Sequence, residues 1–249
     1  LRASRDGVRA AAWGPGAEWA LDQLPALCGA ADDLDGFDAS PHPLVAASHH
    51  RHPGLRLSRT DLVFDALVGA VFEQKVTGLQ AFGAWRRILT WHGDRAPGPT
   101  PRPMFAPPST AGWRRIPSWA WHRAGLEPPQ SRTAVQAATR GESLVRALDE
   151  RPSDRDAVLR SLPGVGPWTS AETRIRAYGD PDAVSVGDYH LAHHVGHALA
   201  GSRTDDEGML ALLAAWPGHR QRVIRLIAAS GAQEPRRGAR LHPEDHRDR

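Results

Sequence analysis

Apolar positions along the chain recur mainly at helical spacing. In "TDLVFDALVGAVFEQKV", Phe64, Leu67, Val68 and Val71 share one helical face, and Thr60 is placed to cap the helix. "LQAFGAWRRILTWHG" predicts a second helix that stops at Gly93. Short helical pieces follow, then "SDRDAVLRSL", capped by Ser153 or Asp154. Two more helices are expected in "HLAHHVGHALAG", ending at Gly201, and in "HRQRVIRLIAAS", where Val223, Leu226 and Ile227 fall together. Helical patterning begins at about Gly16. Before it, "LRASRDGVRAAAW" predicts two short strands about an Asp-Gly turn. They either complete a sheet with further strands or pack on helices, because two strands alone make a weak sheet. Residues 97–108 are proline-rich and predict a loop. The tail from Gln233 is polar and arginine-rich and predicts disorder. No internal repeat is present.

Composition narrows the chemistry. No apolar run approaches the ~18 residues of a membrane span. The chain starts at Leu1 without a signal-like segment, and a start other than Met is compatible with a fragment. Cys28 is the only cysteine, so thiolate clusters and internal disulfides are excluded, and a reducing, intracellular setting fits. The net charge of +3 permits a nucleic-acid partner without requiring one. Lys75 is the only lysine, which restricts any Schiff-base chemistry to that side chain or a chain terminus.

The most informative stretch is "LPGVGPWTSAE", within a helix–turn–helix spanning residues 154–178. Gly164 and Gly166 can adopt positive φ and let a phosphate approach the backbone, while Pro167 suits the first turn of the next helix. A helix N-terminus offers unpaired N–H groups and partial positive charge. The unit can thus grip one backbone phosphate without reading sequence. A plain turn between packed helices is the competing reading.

With "AVSVGDYHL" following, the hairpin resembles the helix–hairpin–helix DNA glycosylase superfamily, and most closely its 3-methyladenine DNA glycosylase II branch. Asp188 stands at the family's catalytic aspartate, twenty residues after Trp168. Trp168 occupies the place where lyase-active relatives carry a lysine. "VGAVFEQKVT" is similar to the loop that wedges into the duplex, and "FAPPSTAGWRRIPSWAWHRAGLEPPQSRTAVQAA" to the segment that follows it. The similarity runs from about Thr60 to Ser230.

The resemblance implies a mainly α-helical, two-lobed fold with the site in the cleft between lobes. Residues 1–40 would be the remnant of an N-terminal mixed α/β domain, 41–231 the helical glycosylase domain and 232–249 the tail. It also implies damaged double-stranded DNA as partner, no cofactor, no membrane, no obligate protein partner, a monomer, and a cytoplasmic, nucleoid-associated location.

The expected reaction is removal of alkylated purines such as 3-methyladenine, with Asp188 stabilising positive charge on the sugar. An aspartate there also suits a helix N-cap, and the two roles are compatible. The expected DNA contacts are Gly164, Val165, Gly166, Thr169, Gln74, Lys75 and His190. Lys75 stands where relatives insert an apolar wedge, so a phosphate contact suits it better, and a solvated loop charge is equally open. Trp168 would stack on the base. Glu172, where relatives can carry an aromatic ring, either contacts the base or pairs with Arg176 at i+4. Ala228 and Ala229 also replace family aromatics. A main-chain monovalent cation could be held by the carbonyls of Leu162 and Val165; no other metal is expected. His190, His193, His194 and His197 include i,i+4 pairs, but no HExxH glutamate accompanies them. The alternatives are a non-catalytic DNA-binding protein, or a glycosylase for neutral deaminated or etheno bases.

Overall fold

A computed structural model describes residues 1–232 and 234. The tail beyond lies outside the described residues. The chain is mainly helical. Strands β1 (Arg2–Ser4) and β2 (Gly7–Arg9) form an exposed antiparallel hairpin that pairs only with itself. Then come α1 (Ala17–Asp22), α2 (Leu24–Leu27), α3 (Pro43–Arg51), α4 (Val63–Phe72) and α5 (Gly78–His92). A two-residue ladder joins β3 (Asp94–Arg95), just before the proline-rich segment, to β4 (Phe105–Ala106) within it, so that segment is not wholly a loop. The remaining helices are α6 (Thr110–Arg115), α7 (Ser118–Ala124), α8 (Pro128–Glu150), α9 (Arg155–Arg160), α10 (Pro167–Tyr178), α11 (Leu191–Ala200), α12 (Asp206–Leu213) and α13 (Arg220–Ser230).

Two separate cores make two lobes. The first gathers α4 to α9 and part of α10 around Leu67, Ile88, Trp113, Leu148 and Leu159. Phe72, Trp85, Trp113 and Trp121 form its aromatic centre, with neighbouring rings 5.3–6.0 Å apart. The second lobe unites Val45 of α3 with α11, α12 and α13, where Val223, Leu226 and Ile227 are fully buried as their spacing predicts. Each such side chain contributes about 1.5–3 kcal/mol.

The second lobe is discontinuous in sequence. The chain leaves it after α3, builds the first lobe, and returns after α10. The outgoing and returning segments lie side by side: Thr60 and Asp61 donate their amides to the carbonyls of Arg176 and Ala177, at 3.0 and 2.9 Å. Residues 32–38 also belong to the second lobe. Arg222 of α13 is buried and forms a bidentate pair with Asp32 at 2.7 and 2.8 Å.

Three local expectations change. Thr60 does not cap α4, because Asp61 takes a left-handed conformation (φ 55°) and the helix starts at Val63. Thr60 instead accepts the Leu62 amide and donates to the Arg176 carbonyl. Asp154 stands at the N-cap of α9 after a 3₁₀ turn, but neither it nor Ser153 makes a capping bond there. The short pieces expected before the hairpin include one 23-residue helix, α8, kinked at Gly141. Before that kink its buried residues include Ala134, Ala137 and Ala138, and only after it come the larger Leu144 and Leu148, so its first half lacks a strong apolar stripe.

Candidate active site

The hairpin forms as its sequence predicts, with α9, a tight turn and α10 packed together. Gly164 has φ +86°, and a Cβ there would meet the Thr133 hydroxyl of α8 at 2.0 Å. Glycine is required at this position on both counts. Gly166 differs from expectation: its backbone is extended (φ −94°, ψ −176°) rather than left-handed. Nothing lies within 4 Å of where its Cβ would be, so an approaching group has room. No side chain caps α10, whose first turn contains Pro167. The amides of Trp168 and Thr169 therefore face outward at the positive end of the helix.

Gln74 closes this unit from the α4–α5 loop. Its amide nitrogen donates to the Gly164 carbonyl and to Thr169 Oγ1, both at 2.9 Å. The side chain expected to reach DNA thus braces the hairpin. Thr169 is buried, with its hydroxyl taken up by Gln74. Lys75, next along, is exposed and left-handed (φ 56°). Leu79 and Phe82, on the first turns of α5 after this loop, are also exposed. Sequence reasoning passed over that apolar pair, whose i,i+3 spacing off the core face is its only signal. The Leu162 carbonyl accepts the Val165 amide at 3.1 Å.

Asp188 stands on the segment that returns from α10 to the second lobe. Its Oδ1 accepts the amides of His190 and Leu191, each at 2.9 Å, which caps α11 from outside the helix. Its Oδ2 accepts the Trp168 indole N–H at 3.2 Å. The carboxylate is therefore oriented from both lobes, and it remains partly exposed. Trp168, expected as a stacking wall, is also the strut that joins α10 to this carboxylate. Beside it Tyr189 is 84% exposed and meets the His190 ring edge-on at 4.8 Å.

Glu172 lies one turn beyond Trp168, on the same face of α10. Both of its oxygens are engaged, Oε1 by the Ser185 hydroxyl at 2.5 Å and Oε2 by Arg176 at 2.9 Å. Arg176 also reaches Glu73 at 2.6 Å. The i+4 pair weighed from the sequence is formed. Ser185 and Glu73 carried no sequence signal, because their partners come from other elements.

On α4 most positions are buried in the first core. Asp65, Gly69 and Glu73, spaced four apart, are its incompletely covered stripe. Burial pushes the Asp65 carboxyl above the ordinary aspartate range. His193 meets the Thr204 carbonyl at 2.9 Å. Among the described residues, no three or more His, Cys, Asp or Glu side chains are grouped to hold a metal ion. No described helix is long and apolar enough to cross a membrane. Two surface cavities, of about 530 and 290 Å³, lie away from Asp188, one along α8 and one between α5 and α7.

No protein-family model matches the chain, and no curated protein matches its sequence. Solved structures do match. The 8-oxoguanine glycosylase/lyase of Clostridium acetobutylicum, without DNA, is 13% identical with a TM-score of 0.70, over 86% of this chain and 76% of that one. The 3-methyladenine DNA-glycosylase of Archaeoglobus fulgidus is 15% identical with a TM-score of 0.68, over 85% and 74%. The Schizosaccharomyces pombe 3-methyladenine DNA glycosylase Mag1, bound to abasic DNA, is 14% identical with a TM-score of 0.56, over 77% and 90%. The two-lobed helical arrangement is the fold of the helix–hairpin–helix DNA glycosylases.

Proposed function

We propose that this chain is a monofunctional DNA glycosylase that removes alkylated purines, such as 3-methyladenine, from double-stranded DNA. The observation that carries the reading is Asp188, fixed by the amides of His190 and Leu191 at the start of α11 and by the indole of Trp168, two residues beyond the uncrowded Gly166. The amides of α10 bind a backbone phosphate, and Gln74 holds the turn in shape. The exposed Lys75 contacts the backbone near the gap, and His190 and Val165 border the strand. The base leaves the stack and comes to rest against Trp168.

As the bond from C1′ to the base nitrogen breaks, its electron pair leaves with the base and positive charge grows on the sugar. The Asp188 carboxylate stabilises that charge. Water then bonds to C1′ and its proton passes to Asp188 or solvent. A cationic alkylated purine departs neutral and needs no acid. Glu172 supports this choice, because both its oxygens accept hydrogen bonds and none offers a proton to a leaving group. The neighbours include both a glycosylase/lyase and 3-methyladenine glycosylases, so the fold does not choose between these chemistries. The choice rests on Lys75, the only lysine, which stands on the α4–α5 loop, while the hairpin carries Trp168 where lyase-active relatives carry a lysine. We further propose a monomer acting without cofactor or protein partner, at the nucleoid.

The test is base release from duplexes carrying 3-methyladenine, 7-methylguanine, hypoxanthine or ethenoadenine. Release of the methylated purines is expected, with a fall of about 10³-fold or more for Asp188→Asn. Binding without release of any base would instead leave a non-catalytic DNA-binding protein. Borohydride trapping of a Lys75-dependent adduct would overturn the monofunctional assignment.

A further inference from the structure

We propose that Glu172 and Ser185 are positioning residues for Asp188, acting on the rate through the aspartate and not by touching the base. The inference rests on the glycosylase reading above. Asp188 ends a short turn, residues 185–188, whose middle residue Gly187 is left-handed at φ +90°. The Asp188 amide donates to the Ser185 carbonyl at 3.2 Å, so the backbone of Ser185 sets where the aspartate begins. Ser185 is only 4% exposed, and its hydroxyl donates to Glu172. A buried hydroxyl bound to a carboxylate is a charge-assisted bond, about twice as strong as a neutral one.

Glu172 is itself held. Arg176 bridges it to Glu73 at the end of α4, next to Gln74, which grips the hairpin. From the opposite side, the Gly187 amide donates to Asp206 of α12 in the second lobe, at 2.9 Å. The turn is therefore pinned to the first lobe through Ser185 and to the second through Gly187. The Trp168 indole fixes only the tip of the carboxylate. Without the Glu172–Ser185 bond, the turn keeps its tie to the second lobe and loses its register on α10, the helix that grips DNA. A displacement of about 1 Å at a reacting group can cost on the order of 10²-fold in rate.

Single-turnover base release under saturating enzyme tests this. Glu172→Ala and Ser185→Ala, each of which removes the bond between the two side chains, are expected to slow release about 10- to 100-fold. Affinity for an abasic duplex should stay within about twofold, and the ranking of lesions should not change. Ser185→Thr, which restores the hydroxyl, should recover most of the rate. Adding Glu172→Ala to Asp188→Asn should slow the residual reaction no further, because the two act through one group. Thermal melts accompany each variant. If Ser185→Ala fails to fold, Glu172→Ala decides, since it removes the acceptor of the Ser185 hydroxyl and leaves Ser185 itself in place. An unchanged release rate, an altered lesion ranking or a loss confined to DNA affinity would overturn the proposal while the glycosylase reading stands. A wild type that releases no base, or an Asp188→Asn variant as active as wild type, overturns that reading and this proposal together.

Discussion

The two glycines of the hairpin look alike in sequence but do different work. Gly164 is fixed by its left-handed backbone and by Thr133 pressed against it, whereas Gly166 is extended and open. Gly164→Ala should therefore destabilise the fold by about 2 kcal/mol or more, from backbone strain and overpacking. Gly166→Ala should melt within ~0.5 kcal/mol of wild type and weaken DNA binding by about fivefold, roughly one hydrogen bond. Equal melting losses for both would contradict this division. Asp65 gives a second residue-scale test. Burial raises its folded-state carboxyl above the ordinary value of 3.8. As pH rises from there, the unfolded chain gives up its proton first, so stability falls until the folded-state carboxyl has ionised too. Asp65→Asn should raise the melting temperature at pH 7.5, with the gain gone near pH 3.5. A gain independent of pH would mean that charge is not its source. The position of Asp188 was legible in the sequence from its spacing to the hairpin. Its indole partner was not, because nothing in a sequence tells a stacking ring from a donor.

At the scale of elements, helices whose apolar residues recur every three to four positions were legible: α4, α5, α11 and α13 lie close to where periodicity places them. The long α8 was not, because its first half buries alanines rather than large apolar residues and its course is broken at Gly141. The connection from Asp32 to Arg222 and from Asp38 to Trp216 was also hidden, since its partners lie far apart in the chain. That connection pins residues 32–38 to α13: Arg222 donates to Asp32 and to the Asp33 carbonyl, and the Trp216 indole donates to the Asp38 carbonyl. Asp32→Ala leaves a guanidinium buried without its counter-ion. The loss expected in chemical denaturation is about 3–5 kcal/mol. A loss under 1 kcal/mol would show that the site rehydrates freely.

At the scale of the molecule, the two lobes meet where α10 gives way to the returning segment, and the aspartate stands at that junction. The place of this carboxylate thus follows from the chain's route between the lobes. The resemblance to a two-lobed glycosylase anticipated this architecture, while periodicity alone gives a set of helices without their arrangement. The N-terminal hairpin, expected to complete a sheet or to pack on helices, pairs with itself, and no further described strand joins it.

The side-by-side hydrogen bonds of Thr60 and Asp61 with Arg176 and Ala177 make the first lobe an insertion, entered and left through one narrow neck. An insertion with adjoining ends can be cut out with little change in chain entropy, because its closure is already provided from within. The excised segment 58–179 should fold cooperatively by circular dichroism and bind duplex DNA through its hairpin. It should release no base, having left its aspartate behind. During synthesis the consequence runs the other way: α3 emerges well before α13, and the insertion, once folded, brings the two halves of the host lobe to the same neck. A chain whose insertion is destabilised should then fail to assemble the other lobe, even where every residue of that lobe is unchanged.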